Sequence, residues 1–412
     1  MAQLNITLNQ EEILQLLSEN QNDAFKLLLQ QSLNSVLQAE SAEQLRADRY
    51  ERSEERTDSR NGSRERKLNT RIGRITLTVP RHRNQPFKTM IFENYSRSEA
   101  ALIAGMAEMV VNGVSTRKVS KVIESLCGTE ISKSAVSEVC RDLEKDVDQF
   151  RERPITGNYP FLTVDATYFK VRENNRVISK ALMIALGTNE EGRREILGFS
   201  AYRNESEETW TDFLKSLKRR GLTNPLMITS DAHEGIRKAI SRVYPSVPWQ
   251  RCQFHFSKNI ADKAPKKYQA GLRTELTEMF SAKTEDEAVT IKDRIISDYS
   301  DVAEAAMQCL DEGFESSMTV MRLSAGLRKY YRTSNHIERL NKELKRRSKV
   351  IGVFPNEKSL VRLMGSVLLE QNEAYSVRKA IFSKATYQQL ISSDLRSELK
   401  AIADNQRGML AA

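Results

Sequence analysis

The sequence predicts a mixed α/β protein. A basic, mainly helical region precedes a core of three successive strands and then alternating helices and strands, with a wholly helical stretch inserted late in that core. Three observations carry this. FLTVDATYFKV, VISKALMIALGT and REILGFSAY are β-rich runs separated only by polar turns at 173–176 and 189–194. From Ser206 to Phe256, amphipathic helical patterns alternate with short apolar runs. Before residue 150 the apolar spacing is helical and is broken by a cluster of arginines.

At 412 residues the chain exceeds one typical core. Composition shifts divide it into a helical region (1–58), a basic strand-containing segment (59–98) and a helix-turn-helix-like region (99–155). A first core part (156–262), a helical insertion (263–329), a second core part (330–375) and a helical tail (376–412) follow. Sixty-four Lys and Arg against 55 Asp and Glu give a net charge of +9, which favours a polyanionic partner. The start, MAQLNITLNQEE, lacks a basic n-region and an apolar h-region, and runs such as ALMIAL (181–186) cannot span a bilayer. The expectation is a cytoplasmic protein with no membrane partner. Cys127, Cys140, Cys252 and Cys309 are too few and too scattered for a disulfide framework.

In chain order, Ile13, Leu14, Leu16 and Leu17, then Phe25, Leu27, Leu28 and Leu29, fit one short amphipathic helix, and Leu33, Val36 and Leu37 continue into a second. These helices read as a cap on the next domain, a dimerisation surface or a DNA contact. RNGSRERKLNTRIGRITLTVPRHR then carries Arg60, Arg64, Arg66, Lys67, Arg71, Arg74, Arg81 and Arg83 against Glu65 alone. Such a run is by default a solvated face, but an arginine arm before a folded module suits phosphate or minor-groove contact. Alternation in RITLTV predicts a short strand that Pro80 stops. Three helices follow, with Gly113 and Gly128 where C-caps belong and Ser115 and Ser132 where N-caps belong. The last two have helix-turn-helix proportions, which would present Arg117, Lys118, Lys133, Ser134 and Ser137; three-helix packing without DNA contact is the alternative. Ser206 caps the amphipathic helix that ends near Gly221, PLMITSD reads as a buried parallel strand, GIRKAISRVYP as a helix and WQRCQFHF as a further strand. Ala264 to about Ser324 reads as entirely helical. Three antiparallel strands followed by alternating α and β is the order of a ribonuclease H-like core.

That order gives three acids a common destination. Asp165 lies inside an apolar strand, where a carboxylate is costly unless paired or metal-bound, and Asp231 lies at the carboxyl end of the neighbouring fourth strand. As a Ser-Asp at a strand end, Asp231 also has a capping role open to it. Glu338 sits in SNHIERLNKELKRR, a basic helix carrying Arg339, Lys342, Lys345, Arg346 and Arg347. Glu343 is on the same helix, but about 500° of rotation sends it to a different face. Two strand carboxylates and one helical carboxylate can hold a pair of divalent metals for phosphoryl transfer on nucleic acid, and the basic helix suits a phosphate track. Cys252 and His255 form half of a zinc finger whose other half is missing. The alternative places His255 against the scissile phosphate or DNA strand and Cys252 toward the core.

NESEETWTDFLKSLKRRGL, ITSDAHEGI, WQRCQFHFSKNI and TSNHIERLNKELKRRSKVIGVFP resemble the Mutator-type transposases of bacterial insertion sequences, as do TRIGRITLTVPRHR, FENYSRSE and NGVSTRKVS upstream. The resemblance runs from about residue 60 to 375. It implies an α/β ribonuclease H-like catalytic core with an all-α insertion, preceded by a mainly helical DNA-binding region. It also implies a DDE triad of Asp165, Asp231 and Glu338, with two Mg²⁺ ions for which Mn²⁺ can substitute, and the family's C(2)H signature at Cys252 and His255. The implied partners are terminal inverted repeats, target DNA and further copies of the chain in a homodimer or larger synaptic assembly, with nucleoid association. Lys258 stands where such proteins often have Arg, and the insertion lacks Trp. The rival readings are a domesticated DNA-binding regulator, against which the three intact acids speak, and a ribonuclease H-like nuclease for branched DNA, against which the large upstream region speaks.

Overall fold

A computed structural model describes residues 21–51, 55–70, 73–89, 100–112, 114, 116–127, 133–223, 225–349, 351–391 and 393–411. The chain divides into two compact units, Met1–Asp142 and Leu143–Ala412.

In the first unit, α1 (Gln21–Leu45) is a single helix where two were expected; Ile13, Leu14, Leu16 and Leu17 lie outside the described residues. It packs Leu29, Leu33 and Leu37 on a hairpin of β1 (Arg60–Thr70) and β2 (Gly73–His82), against Leu68, Ile75, Leu77 and Val79. Pro80 does not stop β2: it pairs with Ser63, opposite a register shift at residues 60–63. In a two-stranded ribbon both strands are edges, and edges and bulges are where a sheet tolerates proline. A second cluster joins α2 (Ala100–Val111), α3 (Thr116–Cys127) and α4 (Lys133–Glu152) through Met106, Val119, Ile123, Val136 and Val139. The expected caps Gly113, Ser115, Gly128 and Ser132, and the turn between α3 and α4, lie outside the described residues.

The second unit is built on a five-stranded sheet ordered β5-β4-β3-β6-β7. β3 (Phe161–Glu173), β4 (Arg176–Thr188) and β5 (Arg194–Tyr202) form an antiparallel meander, while β6 (Met227–Ser230) runs parallel to β3 and β7 (Trp249–Arg251) parallel to β6. One face packs on α5 (Glu207–Arg219) and α6 (Glu234–Val243), where Trp210, Phe213, Leu214 and Ile240 meet Leu162, Val164, Met183 and Ile228. α5 begins in a capping box: Thr209 N–H donates to Ser206 Oγ at 3.2 Å and Ser206 N–H donates to Thr209 Oγ1 at 3.0 Å.

The segment WQRCQFHF is only briefly a strand. β7 ends at Arg251, Cys252 is an N-cap, and Gln253–Lys263 is helix α7. The apolar positions explain the change, since Phe256 and Ile260 are both fully buried at i and i+4, a helical spacing, in a core shared with the next three helices. These are α8 (Lys266–Phe280), α9 (Glu285–Tyr299) and α10 (Glu304–Met318), followed by a 3₁₀ turn (Thr319–Arg322), α11 (Ala325–Tyr331) and α12 (Asn335–Ser348). The helical stretch thus opens about one helix earlier than the sequence pattern places it. α13 (Glu357–Ser376), α14 (Lys384–Leu390) and α15 (Ser393–Ala411) complete the unit.

Gly235, in the first turn of α6, is set by close approach. A Cβ there would lie 2.8 Å from the Ser206 carbonyl carbon and the Glu207 nitrogen. Backbone cannot yield as a side chain can, so Gly235→Ala is expected to destabilise by about 1–3 kcal/mol. A thermal melt of the variant matching wild type would refute the contact.

Candidate active site

β6 pairs with β3 over three rungs, Phe161 with Met227, Leu162 with Ile228 and Thr163 with Thr229. Continued two residues, that register sets Asp165 beside Asp231. The strands are parallel, so Asp231, just past the carboxyl end of β6, comes level with Asp165 inside the longer β3. β6 ends at Ser230, and beyond it the chain turns into α6. Asp231 Oδ1 accepts the His233 N–H at 3.3 Å, a local turn contact.

Two like charges held side by side and partly desolvated resist ionisation. Burial first, then the charge of Asp231, pushes Asp165 up to about 7, against weaker relief from the Ala166 N–H and from His255. Asp165 Oδ2 accepts a hydrogen bond from Asn341 Nδ2 at 2.8 Å, and Asn341 lies on α12 one turn beyond Glu338. The Asn341 Oδ1 is buried with no hydrogen-bond partner.

α12 is fixed near both ends. Before it, Ser334 Oγ donates to Glu338 Oε1 at 3.1 Å. After it, Phe354 pairs with β3: its N–H donates to Lys170 O at 2.9 Å, its carbonyl accepts the Arg172 N–H at 2.8 Å, and its ring meets Phe169 edge-on. Between these anchors Lys345 donates to the Tyr168 carbonyl and lies over the Phe169 ring. Glu338 lies in the first turn of α12, with His255 Nε2 3.9 Å from its Oε1.

Cys252, His255 and Glu338 present ligand atoms within 4.8 Å of one another. The sulfur of Cys252 beside it raises His255 to about 9 despite the opposing effect of burial, so its ring is cationic at neutral pH among the acids. Cys252 is fully buried. Glu205, in the loop before α5, is a further carboxylate of this neighbourhood: burial, then Asp231, pushes it above its ordinary value. Sequence reasoning passed over Glu205 and Asn341. Glu205 adjoins the cap Ser206 and reads as a loop residue. Asn341 carried one signal, a polar residue three positions after Glu338 on the helix face toward the strands.

Residues 1–377 match the family described as Transposase, Mutator family. The chain is 42% identical over 387 residues, covering 92% of itself and 99% of the relative, to the transposase for insertion sequence element IS256 in transposon Tn4001 of Staphylococcus aureus. It is 38% identical over 351 residues to the transposase for insertion sequence element ISRM5 of Rhizobium meliloti, covering 85% and 88% of the two chains. It is 34% identical over 361 residues, 87% of each chain, to the transposase for insertion sequence element IS1081 of Mycobacterium tuberculosis. The chain belongs to the Mutator family of transposases.

This transposase is an enzyme acting on DNA, and among its described residues no helix is long and apolar enough to cross a membrane. Its expected DNA-contacting cations are distributed unevenly. Arg64, Lys67, Arg74, Arg81, Arg83, Arg117 and Lys118 are exposed and Arg66 is half-buried, but the Arg60 guanidinium donates to the Asp48 and Ala47 carbonyls at 2.9 and 3.1 Å. Strand alternation turns Arg64 and Arg66 to the face of Leu68, which α1 covers, and Lys67 to the other. Arg71 and the side chains of Lys133, Ser134 and Ser137 lie outside the described residues. On α12, Arg339, Lys342 and Lys345 are exposed. Arg347 departs from the expected phosphate track. Its side chain is 8% exposed and pairs with Glu343 at 2.8 Å and Glu370 at 3.3 Å, because its position falls on the buried face with Leu340 and Leu344. Arg346 is exposed and also engages Glu343, and these pairs, Arg346 foremost, hold Glu343 down to about 2.

The raised Asp165 has a stability consequence with a definite sign. The native state binds that proton more tightly than the unfolded chain, so its contribution is present at low pH and is lost as pH rises from 3.8 toward about 7. In chelator-treated protein, Asp165→Asn is expected to gain Tm over wild type as pH rises from about 4 to about 8. A difference in Tm that does not vary with pH would show that the carboxylates are not held in this way.

Proposed function

We propose that the transposase binds the terminal inverted repeats of its insertion sequence and catalyses DNA cleavage and strand transfer at Asp165, Asp231 and Glu338, a DDE site on a ribonuclease H-like core with a helical insertion. The observation that carries this reading is the β3–β6 register, which continues to Asp165 and Asp231, together with α12, whose Asn341 donates to Asp165 and whose first turn carries Glu338.

The donor set fits divalent magnesium or manganese. It offers hard carboxylate oxygens, a like-charge repulsion that a cation relieves, and a buried amide oxygen on Asn341 that lacks a partner. Asp165, Asp231 and Glu338 would hold the ions. Two Mg²⁺ ions bound there would supply activation of water or a DNA 3′-OH and stabilisation of the leaving 3′ oxygen. The chain supplies the rest. Asn341 fixes the Asp165 carboxylate from α12, and the His255 imidazolium offers a hydrogen bond and a positive charge to a phosphate oxygen. Arg339, Lys342 and Lys345 lie along the same helix to guide the phosphate backbone. No covalent protein intermediate is required.

Single-turnover cleavage of a labelled inverted-repeat end in Mg²⁺ tests the assignment. Asp165→Asn and Glu338→Gln are expected to lose activity by ~10³-fold while retaining end binding, which rests on cations elsewhere. Glu343→Gln is expected to melt earlier, since it releases the buried Arg347, yet to keep most of its activity per folded molecule. An active Glu338→Gln beside an inactive, folded Glu343→Gln would overturn the third acid.

A further inference from the structure

We propose that Ser334 and Cys252 are positioning residues for Glu338, and that the Cys-x-x-His segment fixes the third acid relative to the strand carrying Asp231. The inference rests on the reading of Glu338 as a metal-holding acid and assigns the residues that set its carboxylate.

Cys252 is a junction of three chain segments. Its N–H donates to the Ser230 carbonyl at 2.8 Å, and Ser230 immediately precedes Asp231. The next N–H, of Gln253, donates to the Arg332 carbonyl at 2.9 Å. The Cys252 sulfur accepts the Ser334 N–H at 3.3 Å and lies 3.2 Å from Ser334 Oγ. Ser334 Oγ in turn reaches Glu338 Oε1 at 3.1 Å, and the Ser334 carbonyl accepts the Glu338 N–H at 3.0 Å. A continuous hydrogen-bonded path therefore runs from the residue before Asp231 to both the backbone and the carboxylate of Glu338. Cys252 is fully buried and Ser334 is 1% exposed, so water does not replace these contacts.

The chemistry of the pair suits this task. The Ser334 hydroxyl has one hydrogen, and an ionised carboxylate is a stronger acceptor than a thiol sulfur. The hydroxyl therefore serves Glu338, and the Cys252 sulfur keeps the Ser334 N–H as its donor. Glutamate has one more rotatable bond than aspartate, and Nε2 of the His255 ring stands 3.9 Å from the same Oε1. Ser334 restrains the carboxylate from swinging wholly onto that ring. Loss of the hydroxyl lets Glu338 close on His255 and leave the other two acids.

The test uses the full chain. Mn²⁺ binding is measured by calorimetry without DNA, alongside the Mg²⁺ dependence of single-turnover end cleavage, end-DNA affinity and Tm. Ser334→Ala is expected to weaken Mn²⁺ binding about 10–100-fold and to raise the half-saturating Mg²⁺ in parallel, with end-DNA affinity unchanged. Cys252→Ala is expected to do the same, and Cys252→Ser, which keeps a polar atom for the Ser334 N–H, to recover most of the loss. A folded Ser334→Ala with wild-type Mn²⁺ affinity overturns the proposal. Should Ser334→Ala not fold, equal Mn²⁺ affinities for Cys252→Ala and Cys252→Ser overturn it. Glu338→Gln separates the two readings. Wild-type Mn²⁺ affinity in that variant removes the role of Glu338 itself, whereas a loss there without a loss in Ser334→Ala removes only the positioning. Stoichiometric zinc in the purified wild type, released by Cys252→Ala, would replace the hydrogen-bonded junction with a metal site.

Discussion

Everything at this site depends on a short parallel pairing that fixes two carboxylates in a place neither would choose alone. β6 contributes three rungs to β3, and those rungs settle whether Asp165 and Asp231 are neighbours. The pairing cannot slip by one residue, because β3 is held by β4 and a slip of β6 would turn Ile228 out of the α5–α6 core. Hydrophobic burial on one face of the sheet thus enforces electrostatic repulsion at its end. Burial first, and then this repulsion, pushes the Asp165 carboxyl up to about 7. In the proposed reaction a cation would relieve that repulsion, which would connect the sheet's packing to phosphoryl-transfer chemistry.

The helix that brings the third acid shows how one amphipathic sequence sorts charges by face. α12 is basic along its length, but its cations have three different occupations. Arg347 lies on the buried face and is neutralised by Glu343 and Glu370. Lys345 lies against β3 at Tyr168 and Phe169. Arg339 and Lys342 are left to solvent. Glu343 is consumed by this internal arrangement, while Glu338, one turn earlier and on another face, is held by a serine and faces an imidazole. The two glutamates differ in partner rather than in kind. Removing Glu343 leaves the buried Arg347 with Glu370 alone, whereas removing Glu338 takes away the acceptor of Ser334 and a carboxylate beside His255.

Much of this was legible in the sequence because period and composition agreed. The meander, the Ser206 cap, the PLMITSD strand and the opposite faces of Glu338 and Glu343 all follow from rules that act over a few residues. The misreadings arose where a longer-range partner overrode local pattern. CQFHF has strand-like aromatics, yet Phe256 and Ile260 find a helical core in residues downstream, from Leu272 to Phe314. Pro80 ends a strand by local rule, but a bulge in the partner strand accommodates it. The arginine-rich run reads as one patch until strand alternation splits it between two faces. Arg347 resembles its neighbours until burial places it beside two acids. Glu205 and Asn341 announce nothing by pattern, because their roles are defined by what the third dimension brings beside them.

A chain of net charge +9 whose site is acidic must reconcile attraction with local repulsion. At physiological ionic strength exposed charges are screened over roughly 8 Å, so net charge alone would not offset the carboxylates where a phosphate would sit in the proposed reaction. That offset has to be local. The structure supplies it in His255, whose charge is sustained to about 9 by Cys252, and in the exposed cations of α12, which share a helix with Glu338. The Cys-x-x-His segment therefore has a logic apart from metal binding. Its cysteine is buried where it stabilises the imidazolium and meets Ser334, and its histidine, three residues later, carries positive charge to the edge of the acids. In the proposed reaction the divalent ions neutralise the carboxylates and the imidazolium remains for the phosphate, so binding and chemistry draw on separate charges.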